Sequence, residues 1–201
     1  MLPTLESSTV AKIDPRVRRT RKLLLDAFIS LIAEKSFEDI TVQDIAARAT
    51  VNRATFYAHF VDKYALVDSL IHEGFAQLLQ RRLVTRTGNA QEHLRHLFLA
   101  VTDHWTMLHG QCKHSYAMFD SLVEAQIKSQ LRDNVSSWLL EHSPRAHSRQ
   151  RVDLVATIVS WAIYGAALEW SQRTGAQSAE AFADEALPLI AASIAVLHTQ
   201  G

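Results

Sequence analysis

From residue 15 onward, the apolar positions of this chain recur at the spacing of one helix face. Leu24, Ala27, Phe28, Leu31 and Ile32 fall three and four residues apart, which puts them on one side of a helix with about 3.6 residues per turn. Pro15 suits the first turn, where its missing N–H has no partner to lose. The pattern breaks at Ser36-Phe37-Glu38-Asp39, so the first helix is predicted over residues 15–35. Two short helices follow. Thr41 is placed to cap one of them, with Asp44 three residues on and Ile40 and Ile45 as the apolar flanks. Asn52 is placed to cap the other, between Val51 and Phe56. Both are patterns of a capped helix start, in which a side-chain oxygen accepts from a free backbone N–H while the flanking apolar pair fixes the entry of the chain. Starts eleven residues apart leave room for two helical turns and a tight connection, with the second helix predicted over residues 53–59. Val42, Ile45, Ala46, Ala49, Val51 and Phe56 then form a small core shared with the first helix. That is the arithmetic of a helix-turn-helix.

The rest of the chain is patterned as long helices. Asp62 is a third capped start, opening a helix to about residue 86, and further helices are predicted at 90–110, 115–142, 148–174 and 178–199. Breaks fall at Thr87-Gly88-Asn89, Gly110, Ser143-Pro144 and Gly175, and Pro188 is expected to kink or restart the last helix. With 6 Gly, 4 Pro and only short β-branched runs, the fold class is all-α. The expected organisation is a flexible arm at 1–13, a three-helix domain carrying the helix-turn-helix at 14–62, and a larger helical domain at 63–201.

Charge sharpens this division. The chain is neutral as a whole, but residues 12–22 carry six basic and one acidic side chain, a net +5, whereas residues 64–201 carry eleven basic and thirteen acidic, a net −2. A basic front on a neutral chain fits a protein of which one end meets phosphates. The single cysteine, Cys112, excludes an intrachain disulfide and fits a reducing compartment. No long apolar run follows the first charges, and the uncharged stretch 154–168 is shorter than the ~20 apolar residues of a membrane span. A cytoplasmic location with no membrane partner is therefore expected. The ten histidines lack the spacing and companion ligands of a metal site, Cys112 lacks the context of a nucleophile, and there is neither a glycine-rich phosphate loop nor a serine elbow. No catalysis, metal or cofactor is expected.

The helix predicted at 148–174 is apolar nearly all round and must be covered on every side. A partner subunit would cover what one protomer cannot. Val155, Ile158, Ala162, Gly165, Ala166, Ile190 and Ile194 are the candidate dimer residues, the small ones allowing close approach of helices.

Residues 41–67, TVQDIAARATVNRATFYAHFVDKYALV, closely resemble the N-terminal signature of the tetracycline-repressor (TetR) family of bacterial regulators. The matching features are Thr41-Val42, Asp44-Ile45-Ala46, Val51, Arg53, Thr55-Phe56-Tyr57, His59-Phe60 and Lys63, preceded by Arg18, Ala27, Phe28 and Phe37. Two positions depart from the family pattern: Thr50 stands where glycine is common in the turn, and Asn52 where Ser or Thr usually caps. Only Thr50 predicts a consequence, a slightly different or mildly strained turn.

The resemblance implies that the second helix of the motif lies in the major groove of an operator. Arg53 and Thr55 would then meet bases or flanking phosphates, with Tyr57 and His59 on phosphates and Asn52 at the helix start. Lys63 would be a phosphate clamp, Thr41 and Gln43 would meet the opposite backbone, and Arg16, Arg18 and Arg19 would reach phosphates or the minor groove. It further implies a homodimer, which presents two such helices to half-sites of double-stranded DNA, and a small-molecule effector of unknown identity bound among the C-terminal helices. His104, Trp105, Tyr116, Phe119, Asp120 and Tyr164 are the candidates to line that pocket. The function expected is a repressor released from a palindromic operator by its effector. The alternative is a helical interaction module, or a ligand-binding protein, without DNA activity.

Overall fold

Capping sets where most of the helices begin. The computed structural model describes residues 14–84, 89–111, 119–142, 148–173 and 177–195, and among them it contains eight α-helices and no strand. Asp14 Oδ1 accepts from the backbone N–H of Arg16 at 2.8 Å, ahead of Pro15, and opens α1 (Pro15–Ile32). Thr41 opens α2 (Val42–Arg48) and Asn52 opens α3 (Arg53–Tyr57). Asp62 Oδ1 accepts from Ala65 N–H at 2.7 Å at the start of α4 (Lys63–Arg82). α5 (Ala90–Gln111) and α6 (Asp120–His142) follow. Ser148 caps α7 (Arg149–Gln172), and Ser178 accepts from Ala181 N–H before α8 (Ala179–Ala195). Each of these side chains satisfies a donor that the first turn of a helix leaves without an intrahelical partner.

Several features differ from expectation, among them the end of α4, at Arg82 rather than near residue 86. α1 ends at Ile32 rather than near residue 35, because Ala33 caps it and Ser36 Oγ donates to Asp39 in the turn that follows. α3 stops at Tyr57, two residues short of the predicted end. α8 continues through Pro188, which is exposed, without restarting there. The expected arm at 1–13 and Cys112 lie outside the described residues.

The chain divides into two units between Leu66 and Val67, within α4. In the first, α1 packs on α2 and α2 on α3. Leu24, Ile40, Ile45, Phe56 and Leu66 are fully buried there, with Phe28 and Phe37 in edge-to-face contact at 6.0 Å between ring centroids. Arg48 grips Glu34 through two hydrogen bonds of 2.7 Å and so ties α2 to α1. In the second unit α7 packs against α5, α6 and α8, and α5 against α8. Leu97, Phe98, Val101, Ile127, Leu131, Val159, Ile163 and Ala183 form its interior. Arg82 pairs with Asp103 through two bonds of 2.7 Å and Arg95 pairs with Asp184, fastening α4 and α8 to α5. By length and composition α7 could cross a membrane; here 44% of its most apolar window is buried against its neighbouring helices.

Candidate nucleic-acid interface

The helix-turn-helix is built from local hydrogen bonds. Thr41 Oγ1 accepts from Asp44 N–H at 3.1 Å, and Asp44 Oδ2 accepts in return from Thr41 N–H at 2.9 Å, a reciprocal capping box. The Lys35 ammonium donates to the same carboxylate at 2.8 Å. This bond, followed by the backbone and hydroxyl bonds from Thr41, holds the Asp44 carboxyl well below the usual carboxylate range. α2 then closes in a tight reversal. Thr50 N–H bonds to Ala47 O and Val51 N–H to Ala46 O, while Thr50 takes φ = 57°, the left-handed region. This is the helix ending that glycine usually supplies, so the departure at Thr50 leaves the turn shape intact and puts a β-branched residue in a disfavoured conformation. Asn52 Oδ1 accepts from Thr55 N–H at 2.7 Å and launches α3.

What α3 presents outward is Arg53 and Tyr57, both exposed and touching each other. The guanidinium lies 5.9 Å from the tyrosine ring centroid and donates to the phenol oxygen at 3.4 Å. Asn52, Thr41 and Gln43 are exposed as well, as are Arg16, Arg18 and Arg19 on the first turns of α1. Thr55 is half-buried and its hydroxyl donates to the cap Asn52 at 3.0 Å, so in this arrangement it can only accept from a ligand. His59 is half-buried beside Phe60. Arg21, absent from the expected set, lies 4.6 Å over the Phe60 ring.

Lys63 departs from expectation. Its ammonium does not stand free for a phosphate; it donates to the carbonyls of Phe37, Glu38 and Ile40 at 2.9, 3.2 and 2.9 Å and sits 4.3 Å from the Phe37 ring centroid. A lysine has three N–H donors, and all three are engaged.

In the second unit, the expected effector residues are only partly brought together. Trp105 lies 6.2 Å from His104 and 6.1 Å from Tyr164, and His104 meets Phe75 edge-on. Burial pushes the His104 imidazole down to about 4, and its Nε2 has no hydrogen-bond partner among the described residues. Burial, with the nearby Glu124 and Asp120 carboxylates, pushes the Tyr164 phenol up to about 12. Phe119 is buried and Asp120 exposed at the start of α6, while Tyr116 lies outside the described residues. An open groove of about 520 Å³ between α6 and α7 is lined by Arg132, Ser136, Leu140, Arg149 and Asp153 among others, and by none of the expected residues.

The expected dimer residues also separate. Val155 and Ile190 face their own protomer's core, Ala162 and Ala166 are half-buried, and Ile158 and Gly165 are exposed; the side chain of Ile194 lies outside the described part. α7 is therefore not covered all round. Leu154 and Trp161, each 60% exposed, join Ile158 and Gly165 in one stripe, and Leu189 on α8 is 77% exposed. The stripe's spacing of four, three and four residues is shared by the buried face of α7, so the sequence alone does not single it out.

Residues 24–70 match the sequence profile of the bacterial regulatory proteins of the tetR family. That match takes in the end of α1, all of α2 and α3 and the start of α4. A stretch of the chain is similar to the HTH-type transcriptional regulator YxbF of Bacillus subtilis, 35% identical over 39% of this chain and 21% of the relative. Another is similar to the HTH-type transcriptional repressor KstR2 of Mycobacterium tuberculosis, 34% identical over 44% of this chain and 46% of the relative. The chain thus spans less than half the length of these two relatives. The fold is also that of a TetR transcriptional regulator from Streptococcus agalactiae, with a TM-score of 0.57 and 22% identity over 88% of this chain and 96% of that one.

Proposed function

We propose that this protein is a sequence-specific DNA-binding transcriptional regulator of the bacterial cytoplasm. It acts as a repressor, holding a palindromic operator as a homodimer and released by a small-molecule effector in its second unit. The observation that carries the reading is the outward pair Arg53–Tyr57 on a short capped helix, together with the exposed basic residues Arg16, Arg18 and Arg19 at the start of α1. Arginine reads guanine through a two-pronged donor edge, and the phenol and basic side chains suit phosphates. The name of the relative KstR2 favours repression.

Pairing of protomers is supported by the Leu154–Ile158–Trp161–Gly165 stripe, a continuous apolar surface of the kind that marks an interaction site. Small-molecule control is supported by the buried imidazole of His104, whose Nε2 has no hydrogen-bond partner among the described residues, beside Trp105, which in turn meets Tyr164. The effector would act by its differential affinity for DNA-competent and DNA-incompetent states.

Selection of bound duplexes from random DNA, followed by mobility shift with the recovered sequence, tests the core of this. Arg53→Ala should lower affinity for that sequence by 1–3 kcal/mol, roughly 5- to 150-fold, and relax preference at one base position per half-site. Undiminished affinity and preference in that variant would sink the reading.

A further inference from the structure

We infer that Lys63 is a positioning residue for DNA recognition, acting by clasping the two ends of the helix-turn-helix together rather than by touching phosphate. The inference rests on the DNA-binding reading above. Lys63 follows α3 by six residues, and the carbonyls it binds, those of Phe37, Glu38 and Ile40, immediately precede the Thr41 cap of α2. One ammonium therefore joins the chain entering α2 to the chain leaving α3. Everything that would meet DNA from the motif, Thr41, Gln43, Asn52, Arg53 and Tyr57, lies inside that closed segment.

The three acceptors need what lysine offers. They converge on one nitrogen at 2.9–3.2 Å, which suits a compact ammonium with three rotatable donors and does not suit the planar fork of arginine. The side chain also lies against the Phe37 ring, which meets Tyr64 edge-on at 5.2 Å, so an aromatic contact between the same two segments backs the polar one. Arg48 and Lys35 already bind α2 to the end of α1 and the turn after it. Lys63 adds the tie that sets where α3 can leave the motif. Removing it loosens the aim of the reading helix without removing a charge that faces DNA.

The test uses the full chain, a duplex recovered by selection, and a random duplex of the same length. Lys63→Met keeps the apolar stem and removes the ammonium; Lys63→Arg keeps the charge and changes its shape. With either variant, affinity for the selected duplex should fall about tenfold or more, as loss of charged hydrogen bonds implies, while affinity for the random duplex changes less than about twofold. The salt slope of binding should stay at the wild-type value, whereas a lost phosphate contact would reduce it by about 0.9 per lysine. In the DNA-free chain, amide exchange at Asp39 and Ile40, whose N–H groups close the turn on Ser36 and Phe37, should quicken relative to the rest of the unit. A merely destabilising effect would raise exchange throughout and weaken both duplexes alike.

A reduced salt slope in Lys63→Met with full rescue by Lys63→Arg would overturn the inference in favour of a phosphate clamp. Equal loss on both duplexes would overturn it too. A wild-type chain that binds no duplex refutes the DNA reading itself, and wild-type binding separates that failure from failure of the clasp alone. If Lys63→Met does not fold, Lys63→Arg decides between the outcomes.

Discussion

Thr50 shows how one residue can keep a motif's geometry at an energetic penalty. A left-handed conformation costs a non-glycine residue about 1–2 kcal/mol, and a β-branched side chain is among the least suited to it. Glycine gives back part of that gain through its greater freedom in the unfolded chain, about 0.5–1 kcal/mol. Thr50→Gly should therefore raise stability by about 0.5–1 kcal/mol, seen as a higher urea midpoint at unchanged slope. A midpoint that does not rise would mean the strain at Thr50 is no larger than the roughly 0.5–1 kcal/mol that glycine gives back. His104 makes a second point at this scale. Its imidazole titrates near 4 in the folded chain against 6.5 unperturbed, so below pH 6.5 the unfolded state binds a proton that the folded state refuses. Stability is thus lost as pH falls from 6.5 toward 4. This residue alone should account for about 2 kcal/mol between pH 7 and pH 5. Comparing unfolding of the wild type with His104→Leu at both pH values checks it, because the variant should lose correspondingly less. An equal loss in both chains would place the acid sensitivity elsewhere, with His93, which burial also lowers to about 4, the next place to look.

At the scale of elements, what the sequence made legible was what it encodes locally. The caps at Thr41, Asn52 and Asp62 are side-chain to backbone bonds spanning three residues, and the pattern of Ser, Thr, Asn and Asp before apolar positions reports them directly. Lys63 could not be read this way, because its partners lie 23 to 26 residues back. The open side of α7 was illegible for another reason. With apolar residues nearly all round, no periodicity distinguishes Val155, which is buried, from Leu154, which is exposed. One residue of register is about 100° of rotation, and only the packed helices α5, α6 and α8 decide it. Gly165 tests the open side. A Cβ placed there meets nothing within 4 Å, so Gly165→Leu should leave the protomer folded and, by helix propensity, more stable by about 0.8 kcal/mol. If a partner helix passes across the stripe, the same change should shift the dimer toward monomer in sedimentation. Unaltered association would move the pairing surface off α7.

At the scale of the whole molecule, a formal charge of zero conceals two dissimilar halves. The N-terminal unit was legible almost residue by residue, since its core, caps and outward pair all sit within one short stretch. The second unit was legible only as a succession of helices. Which aromatics close on one another, as His104, Trp105 and Tyr164 do, depends on how distant helices meet, and the spacing within each helix does not record that. The stripe on α7 has a consequence for how such a regulator would be dosed. A lone protomer leaves Leu154, Ile158 and Trp161 largely exposed, and in the proposed dimer pairing through them would be governed by mass action. Below the pairing constant, operator occupancy then rises with the square of protein abundance, so a modest dip in synthesis would empty the site well before the cell ran short of the chain.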